Sequence, residues 1–508
     1  MPDCWLVGDR ARDAVAEAAH RRPAGVALIA GETSLTWAEF DDRVTRAARR
    51  LRGLADTDGA RVALVLGNTV AFAVAYFGTL RAGLVAVPLN PGYTADELSY
   101  ALRDSGAVVV VAEPAAMARL TGATMAVVPP DLGSGAEADP VEVTAGRLAV
   151  LLYTSGTSGR PKGAMLSHAA LAANHDQLDG IVPPVVGPDD VVLLTVPFFH
   201  AYGLNTGLGT VVHHAATGVL VDRFDPAASL RLINRHRVTV AVGVPGMYAA
   251  WSREPSAAGD LAGLRSAVCG AAPLDPDDAA RYTAVTGKTL IIGYGLTECA
   301  PVLTTTAVSD VAKTGSIGRP LPGVSLRLRT AAGEVLWQDG SASPAEDLAE
   351  LDLSVEDSAG TDPGVIVVRG ANLFSGYWPD GHGGPDPDGW WPTGDIAYAD
   401  GDGDLVLVDR IGELILVNGF NVYPAEIERV LDEHPGVAEA AVVAVPDPET
   451  GQAPYAYVVP AIEPPPTPAE LHVYCGGQLA RYKLPATIEL VSELPRSATG
   501  KIRKGALR

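Results

Sequence analysis

Cysteine is nearly absent from this sequence. The four residues, Cys4, Cys269, Cys299 and Cys475, stand far apart, with no CxxC pair and no Cys/His spacing of a zinc site. Neither a disulfide framework nor a structural metal is therefore expected, and a reducing cytoplasm fits this usage. Basic residues are also scarce: 38 Lys and Arg against 60 Asp and Glu leave a formal charge of −22. That balance excludes a broad nucleic-acid footprint, which needs clustered cations. A local anion site built on backbone N–H groups is still compatible with an acidic chain. No apolar run approaches the roughly 18 uninterrupted residues of a membrane-spanning helix. The opening residues MPDCWLVGDRARD lack a basic region followed by an apolar core and a small-residue cleavage site. Neither a transmembrane segment nor secretion is expected.

What is present is enough apolar side chain, 47% of 508 residues, to fill more than one core. Residues 61–112 alternate Val-rich runs with amphipathic stretches, which predicts strands near 61–67, 84–88 and 107–112 joined by helices over 71–80 and 94–103. The alternation returns at 189–296, with strands predicted at 190–197, 238–245, 264–270 and 290–295 and helices over 226–235 and 275–286. Continuous Val runs joined by helices predict buried parallel sheet, hence an α/β fold whose residues 1–408 form a large body of several subdomains. Residues 338–362 are rich in Ala, Ser and Asp and contain no Lys or Arg, the composition of a solvated, mobile loop. From 409 to 508 the pattern becomes a small α+β domain, with strands predicted near 413–418, 439–446, 455–460 and 487–491 and helices over 424–433 and 469–481.

The densest chemical signal is YTSGTSGRPKGAML at 153–166. The hydroxyls of Thr154, Ser155, Thr157 and Ser158 can donate to phosphate oxygens. Gly156 and Gly159 let backbone N–H groups approach, and Lys162 supplies charge. It is not the common P-loop, because Pro161 and Gly163 stand where that motif needs Gly and Ser or Thr. Thr297-Glu298 places a hydroxyl beside a carboxylate, which suits a phosphate oxygen and a hard cation, although on spacing alone the isolated pair reads first as a capped helix start. Asp395, in a Thr-Gly-Asp turn, has lone pairs for two sugar hydroxyls. Phe199 and His200 follow a strand end, and a histidine beside aromatics is ordinarily a packing residue. No Arg or Lys stands in 270–274 or 299–306, so a second carboxylate on a substrate finds no partner there.

The loop resembles the signature of the AMP-forming adenylate superfamily of acyl-CoA synthetases, luciferases and nonribosomal adenylation domains. Four further blocks follow in that family's order: GYGLTECAP at 293–301, WPTGD at 391–395, DRIGELILVNGFNVYPAEIE at 409–428 and LPRSATGKIRKGALR at 494–508. The wording is closest to bacterial medium- and long-chain fatty acyl-CoA ligases. The resemblance implies ATP, Mg2+ and CoA, the last as second substrate. It makes Thr154, Ser155, Gly156, Thr157, Ser158, Gly159 and Lys162 the pyrophosphate grip, and Thr297 an α-phosphate contact. Glu298 is then the Mg2+ ligand, Tyr294 and Gly295 the adenine contacts, and Asp395 and Arg410 the ribose contacts. Phe199, His200, Gly270, Ala271, Gly295 and Cys299 are placed at the acyl pocket, with His200 also a catalytic candidate. Asp409 is the hinge of a mobile C-terminal domain, and Lys501 the lysine that closes over the acyl carboxylate and α-phosphate. Ile411, Gly412 and Glu413 replace the lysines usual after the hinge Asp-Arg pair, so an acyl carrier protein bearing phosphopantetheine is the alternative acceptor.

Overall fold

The computed structural model describes residues 10–120, 125–132, 137–139, 141–154, 161–311, 313, 315–330, 332–339, 341–342, 360–410, 413, 415–417, 420–447, 450–479, 481–497 and 500–507. Most of the acidic stretch 338–362 lies outside these residues. So do Ser155, Gly156, Thr157, Ser158 and Gly159. The chain divides into two units: Met1–Thr314, Gly318–Val324 and Arg369–Trp391 form the first, and Gly315–Ile317, Ser325–Val368 and Pro392–Arg508 the second.

Two sheets make up the first unit. One runs in the order Ala126–Val128, Val109–Ala112, Arg61–Val65, Val85–Pro88, Leu148–Thr154, Lys162–Ser167. It is parallel up to Leu148–Thr154, and the last strand returns antiparallel. Val85–Pro88 and Val109–Ala112 are buried at every position, which is why they read as unbroken Val runs rather than as alternation. Helices Val70–Arg81 and Ala95–Ser105 connect the strands; the second starts with a Thr94/Glu97 capping box and stops at Gly106 in the left-handed region. The other sheet runs Val302–Thr305, Ile291–Gly295, Ser266–Cys269, Val240–Gly243, Val191–Leu194, Thr217–Leu220, Val26–Ala30, Thr33–Thr36. It is parallel except for the outermost pair at each end. Its core packs Tyr248, Trp251 and Tyr282 with Leu230, Ile233 and Leu261.

The first sixty residues carry no strong period-2 pattern, yet contribute two strands and the helix Trp37–Leu54. That helix is set by a Thr36/Glu39 capping box and an apolar face of Trp37, Phe40, Val44 and Leu51. The strands that flank the phosphate-type segment are antiparallel, with Thr154 opposite Lys162 and Tyr153 opposite Gly163. Helix His168–Asp179 begins only after the second of them.

In the second unit, strands Phe420–Val422, Ile415–Val417, Gly451–Pro460 and Val437–Asp447 form one sheet, with Thr487–Leu490 beside Gly451–Pro460. Helices Pro424–Asp432 and Pro468–Gly476 supply Ile427, Val430, Leu431 and Leu471 to its core. The second helix ends at Gly476, five residues short of the stretch predicted over 469–481, because the Gly476-Gly477 pair gives poor helix. Lys504, which reads in sequence as a tail charge, is held between Glu413 and Glu428 at 2.8 Å from each. Those carboxylates raise its pKa against the opposing effect of burial, the larger single cause.

A half-buried histidine, His168, is a source of acid sensitivity in the first unit. Burial, assisted by Arg147, lowers the pKa of His168 to about 4. The unfolded chain, with an ordinary imidazole near ~6.5, then binds a proton that the folded chain does not, so stability is lost as pH falls from about 6.5 towards 4. The linkage is worth on the order of 3 kcal/mol. His168→Gln should therefore show a shallower fall of Tm between pH 7 and 4 than the wild type; parallel profiles would refute the assignment.

Candidate functional site

The stems of the 155–160 loop are fixed on one side by helix Ala95–Ser105. Tyr100 donates to the Pro161 carbonyl at 2.9 Å, and Tyr153 to the Asp104 carboxylate at 2.6 Å. Burial and that carboxylate push the Tyr153 phenol well above its ordinary pKa, so it stays a donor. A Cβ at Gly163 would stand 2.8 Å from the Leu151 side chain, so a larger residue there would need that side chain to shift. On the other side of strand Lys162–Ser167 lies the segment 374–378, tied by Ser375 N–H to the Met165 carbonyl, Met165 N–H to Gly376 and Trp378 N–H to Gly163.

That segment carries Tyr377, a residue the sequence reading passed over. Its ring lies 5.4 Å from the Lys162 ammonium, and its hydroxyl donates to Glu298 Oε1 at 2.7 Å. Glu298 is only 7% exposed, and its carbonyl accepts from Phe374 N–H at 2.8 Å. An aromatic ring with a polar tip thus links the lysine after the loop to the carboxylate of the Thr-Glu pair. A Gly-Tyr-Trp run in a connecting segment gives no period or charge pattern by which to find it.

Thr297, Glu298 and Cys299 form a single 3-10 turn after strand Ile291–Gly295, which bears Tyr294. The reading of Thr297 as a helix cap does not hold, since the cap position is Leu296 without a side-chain bond. A side chain at Gly295 would overlap the Pro301 carbonyl, so only glycine fits. Buried amides fix the segment after Glu298. Asn205 donates to Ala300 O at 2.7 Å, Asn174 brackets Val302 through both its N–H and C=O, and Asn372 donates to Cys299 O at 2.7 Å. Gln177 completes the chain by donating to Asn372 at 3.0 Å. Each amide replaces a lost water contact, so none of these carbonyls pays for its burial unpaired.

Phe199 and His200 follow the carboxyl end of strand Val191–Leu194, where open α/β sheets gather ligands. Asn68, at the end of Arg61–Val65, clamps this corner: its amide donates to Val196 O at 2.9 Å and accepts from Phe198 N–H at 2.9 Å. Beside it opens a cavity of about 530 Å3 lined by Asn68, Glu113, Pro197, Phe199, Asp222 and Arg223. His200 opens the helical stretch that continues as the π-helix Tyr202–Gly209. Tyr202 turns its hydroxyl to the Gly243 and Val268 carbonyls, 3.2 and 3.1 Å away. Its ring lies 3.4 Å from where a Cβ of Gly270 would stand. Next to Gly270, Ala271 adopts a φ of 71°. Cys299 is fully buried. The structure thus brings Lys162 and Glu298 together through Tyr377, and sets Gly270 against Tyr202.

In the second unit, Asp395 is 4% exposed on strand Trp391–Ala399, opposite Arg410 of strand Leu405–Arg410. Thr393 orients this turn, donating to Ile366 O at 3.1 Å and accepting from Asp395 N–H at 3.1 Å. Asp409 and Arg410 are described as strand residues, and their side chains lie outside the description. Lys501 is exposed on a turn closed by Gly500, with a φ of 82°, and its N–H donates to Ser497 Oγ at 3.2 Å.

Residues 15–378 match the AMP-binding enzyme family, and residues 426–501 match the AMP-binding enzyme C-terminal domain. The chain belongs to the AMP-binding enzyme family. A feruloyl-CoA synthase of Amycolatopsis sp is 37% identical, covering 96% of this chain and 96% of that protein. A long-chain-fatty-acid–CoA ligase of Yersinia pestis is 33% identical over 93% of this chain and 89% of its own length. The ATP-bound structure of MatB from Rhodopseudomonas palustris superposes with a TM-score of 0.85 at 31% identity, covering 98% of each chain. Membership in this family, with CoA ligases as relatives along the whole length, makes the chain an AMP-forming acid:CoA ligase that consumes ATP and CoA.

A hydrogen bond to a charged group is worth about 1.5–3 kcal/mol. Removing the hydroxyl in Tyr377→Phe should therefore lower kcat/KM for ATP-dependent activation by about 10- to 100-fold and raise the Mg2+ concentration needed for half-maximal rate. Thermal melting should stay within a few degrees, since the ring that packs on Phe374 is kept. Unchanged Mg2+ dependence would show that Tyr377 does not position Glu298.

Proposed function

We propose that the chain activates a hydrophobic monocarboxylic acid, a medium- or long-chain fatty acid, as its acyl-AMP and then transfers the acyl group to CoA. The observation that carries the monoacid reading is the wall at Gly270. Tyr202 spends its hydroxyl on two backbone carbonyls and offers only ring carbon, and no Lys or Arg stands in 270–274 or 299–306. Such a lining suits apolar substrate and rejects a second carboxylate. The Amycolatopsis relative, at 37% identity, favours a second reading in which the acid is a substituted aryl-propenoate.

In the reaction the acid carboxylate attacks the α-phosphorus of ATP, and pyrophosphate leaves. Both partners are anionic, so catalysis rests on neutralising charge and aligning the attack. The backbone and hydroxyls of 154–159 with Lys162 hold the pyrophosphate, Thr297 contacts the α-phosphate, Tyr294 and Gly295 contact the adenine, and Asp395 with Arg410 takes the ribose. Glu298 is suited to a hard divalent cation: its buried carboxylate retains one oxygen beyond the Tyr377 bond, and Mg2+ there would neutralise phosphate charge. Lys501 bridges the carboxylate and the α-phosphate. The thiol must approach where that lysine stood, so residues 409–508 rotate about Asp409 between the two steps. His200, with Phe199, lines the acid site.

Two experiments test this reading. Lys501→Ala should abolish acid-dependent pyrophosphate release yet retain thioester formation from supplied acyl-AMP; equal loss of both steps would count against the assigned role. A panel from acetate to palmitate, with ferulate and 4-coumarate added, should show kcat/KM rising with apolar length. Preference for the aryl-propenoates would replace the fatty acid, and faster transfer to a phosphopantetheine carrier protein than to CoA would replace the acceptor.

A further inference from the structure

Away from the residues assigned to adenylation, two helices of the first unit end at one point. Asp179 is the last residue of helix His168–Asp179, and His213 and His214 are the last two of helix Thr210–His214, itself the continuation of the π-helix Tyr202–Gly209. His213 Nε2 lies 2.8 Å from Asp179 Oδ2, and His214 Nε2 lies 3.2 Å from Asp179 Oδ1. All three side chains offer one ligand atom within 4.8 Å of the others, and among the described residues this is the group of His, Cys, Asp or Glu with that convergence. The imidazole planes stand at 87°, so their nitrogens approach the carboxylate from different directions.

We propose that Asp179, His213 and His214 form a binding site for a borderline divalent transition cation of the Zn2+, Co2+ or Ni2+ class. Two imidazoles and one carboxylate are the donor set such ions take, whereas Mg2+ selects an all-oxygen shell. The carboxylate is 42% exposed while the imidazoles are 19% and 17% exposed, so one side is protein and the other admits water to the remaining coordination positions. Both helices point their C-terminal, negative ends here, which favours a cation. Binding through Nε2 requires each imidazole to carry its proton on Nδ1.

The surroundings agree with three protein ligands and not four. The His175 ring lies 5.1 Å from that of His213, but its Nε2 is engaged by the Asn205 carbonyl at 3.1 Å. Arg21 donates to the His213 carbonyl at 2.6 Å, on the backbone side, and Arg12 pairs with Asp176 at 3.2 Å. An ion at this point would tie the end of the helical stretch that follows Gly209 to helix His168–Asp179.

The test uses full-length, untagged protein stripped with EDTA and titrated with Co2+ in excess Mg2+. The wild type should take up one Co2+ per chain with a saturable ligand-field absorption, and Zn2+ should displace it and raise Tm. His213→Ala and Asp179→Asn should weaken binding by at least about 10- to 100-fold, the loss seen when even an outer-shell partner of a metal site is removed. His214→Gln, which keeps a polar side chain of similar reach, guards against a variant that fails to fold and should show the same loss. Absence of saturable Co2+ binding in the wild type, or equal affinity in the folded variants, would overturn the site.

Discussion

A carboxylate that is 7% exposed has lost most of its water, and the Tyr377 hydroxyl at 2.7 Å is what replaces part of it at Glu298. Burying a charge without donors costs far more than one hydrogen bond returns, so three stretches of chain have to meet here. The turn 297–299 brings the carboxylate, segment 374–378 brings the phenol, and strand Lys162–Ser167 brings the ammonium over the face of the same ring. Displacing any one of them leaves either a charge without a donor or a lysine without its aromatic partner.

The rest of the first unit keeps those stretches in place. Amides do much of this: Asn174, Asn205 and Asn372 bond the backbone of 299–302, Gln177 bonds the Asn372 side chain, and Asn68 bonds the backbone beyond strand Val191–Leu194. Each joins segments between 73 and 195 residues apart, and each is buried, so its partners cannot be exchanged for water. The parallel strands of the two sheets supply the frame, because within each sheet they deliver their carboxyl ends, and therefore their loops, to the same side.

Much of this was legible from residue order. The Val runs at 62–65, 85–88 and 109–112 announced buried parallel strands because nothing on either face is solvated. The blocks around Lys162, Glu298, Asp395 and Lys501 announced the chemistry because their residue types recur in a fixed order. What could not be read was long-range pairing. The hairpin return of Lys162–Ser167 depends on a strand partner, not on local propensity. Tyr377 acquires its role only through contact with Glu298, 79 positions away, and Asn372 through Cys299. The first sixty residues were missed because their strands are short and half exposed, so the period that reveals burial is weak.

The central claim is that the acid oxygen attacks the α-phosphorus of ATP. The most direct measurement is turnover of a fatty acid labelled with 18O in its carboxylate, followed by mass spectrometry of the nucleotide product. Attack at the α-phosphorus places one labelled oxygen in AMP and none in pyrophosphate. Unlabelled AMP, or formation of ADP and phosphate, would contradict the account.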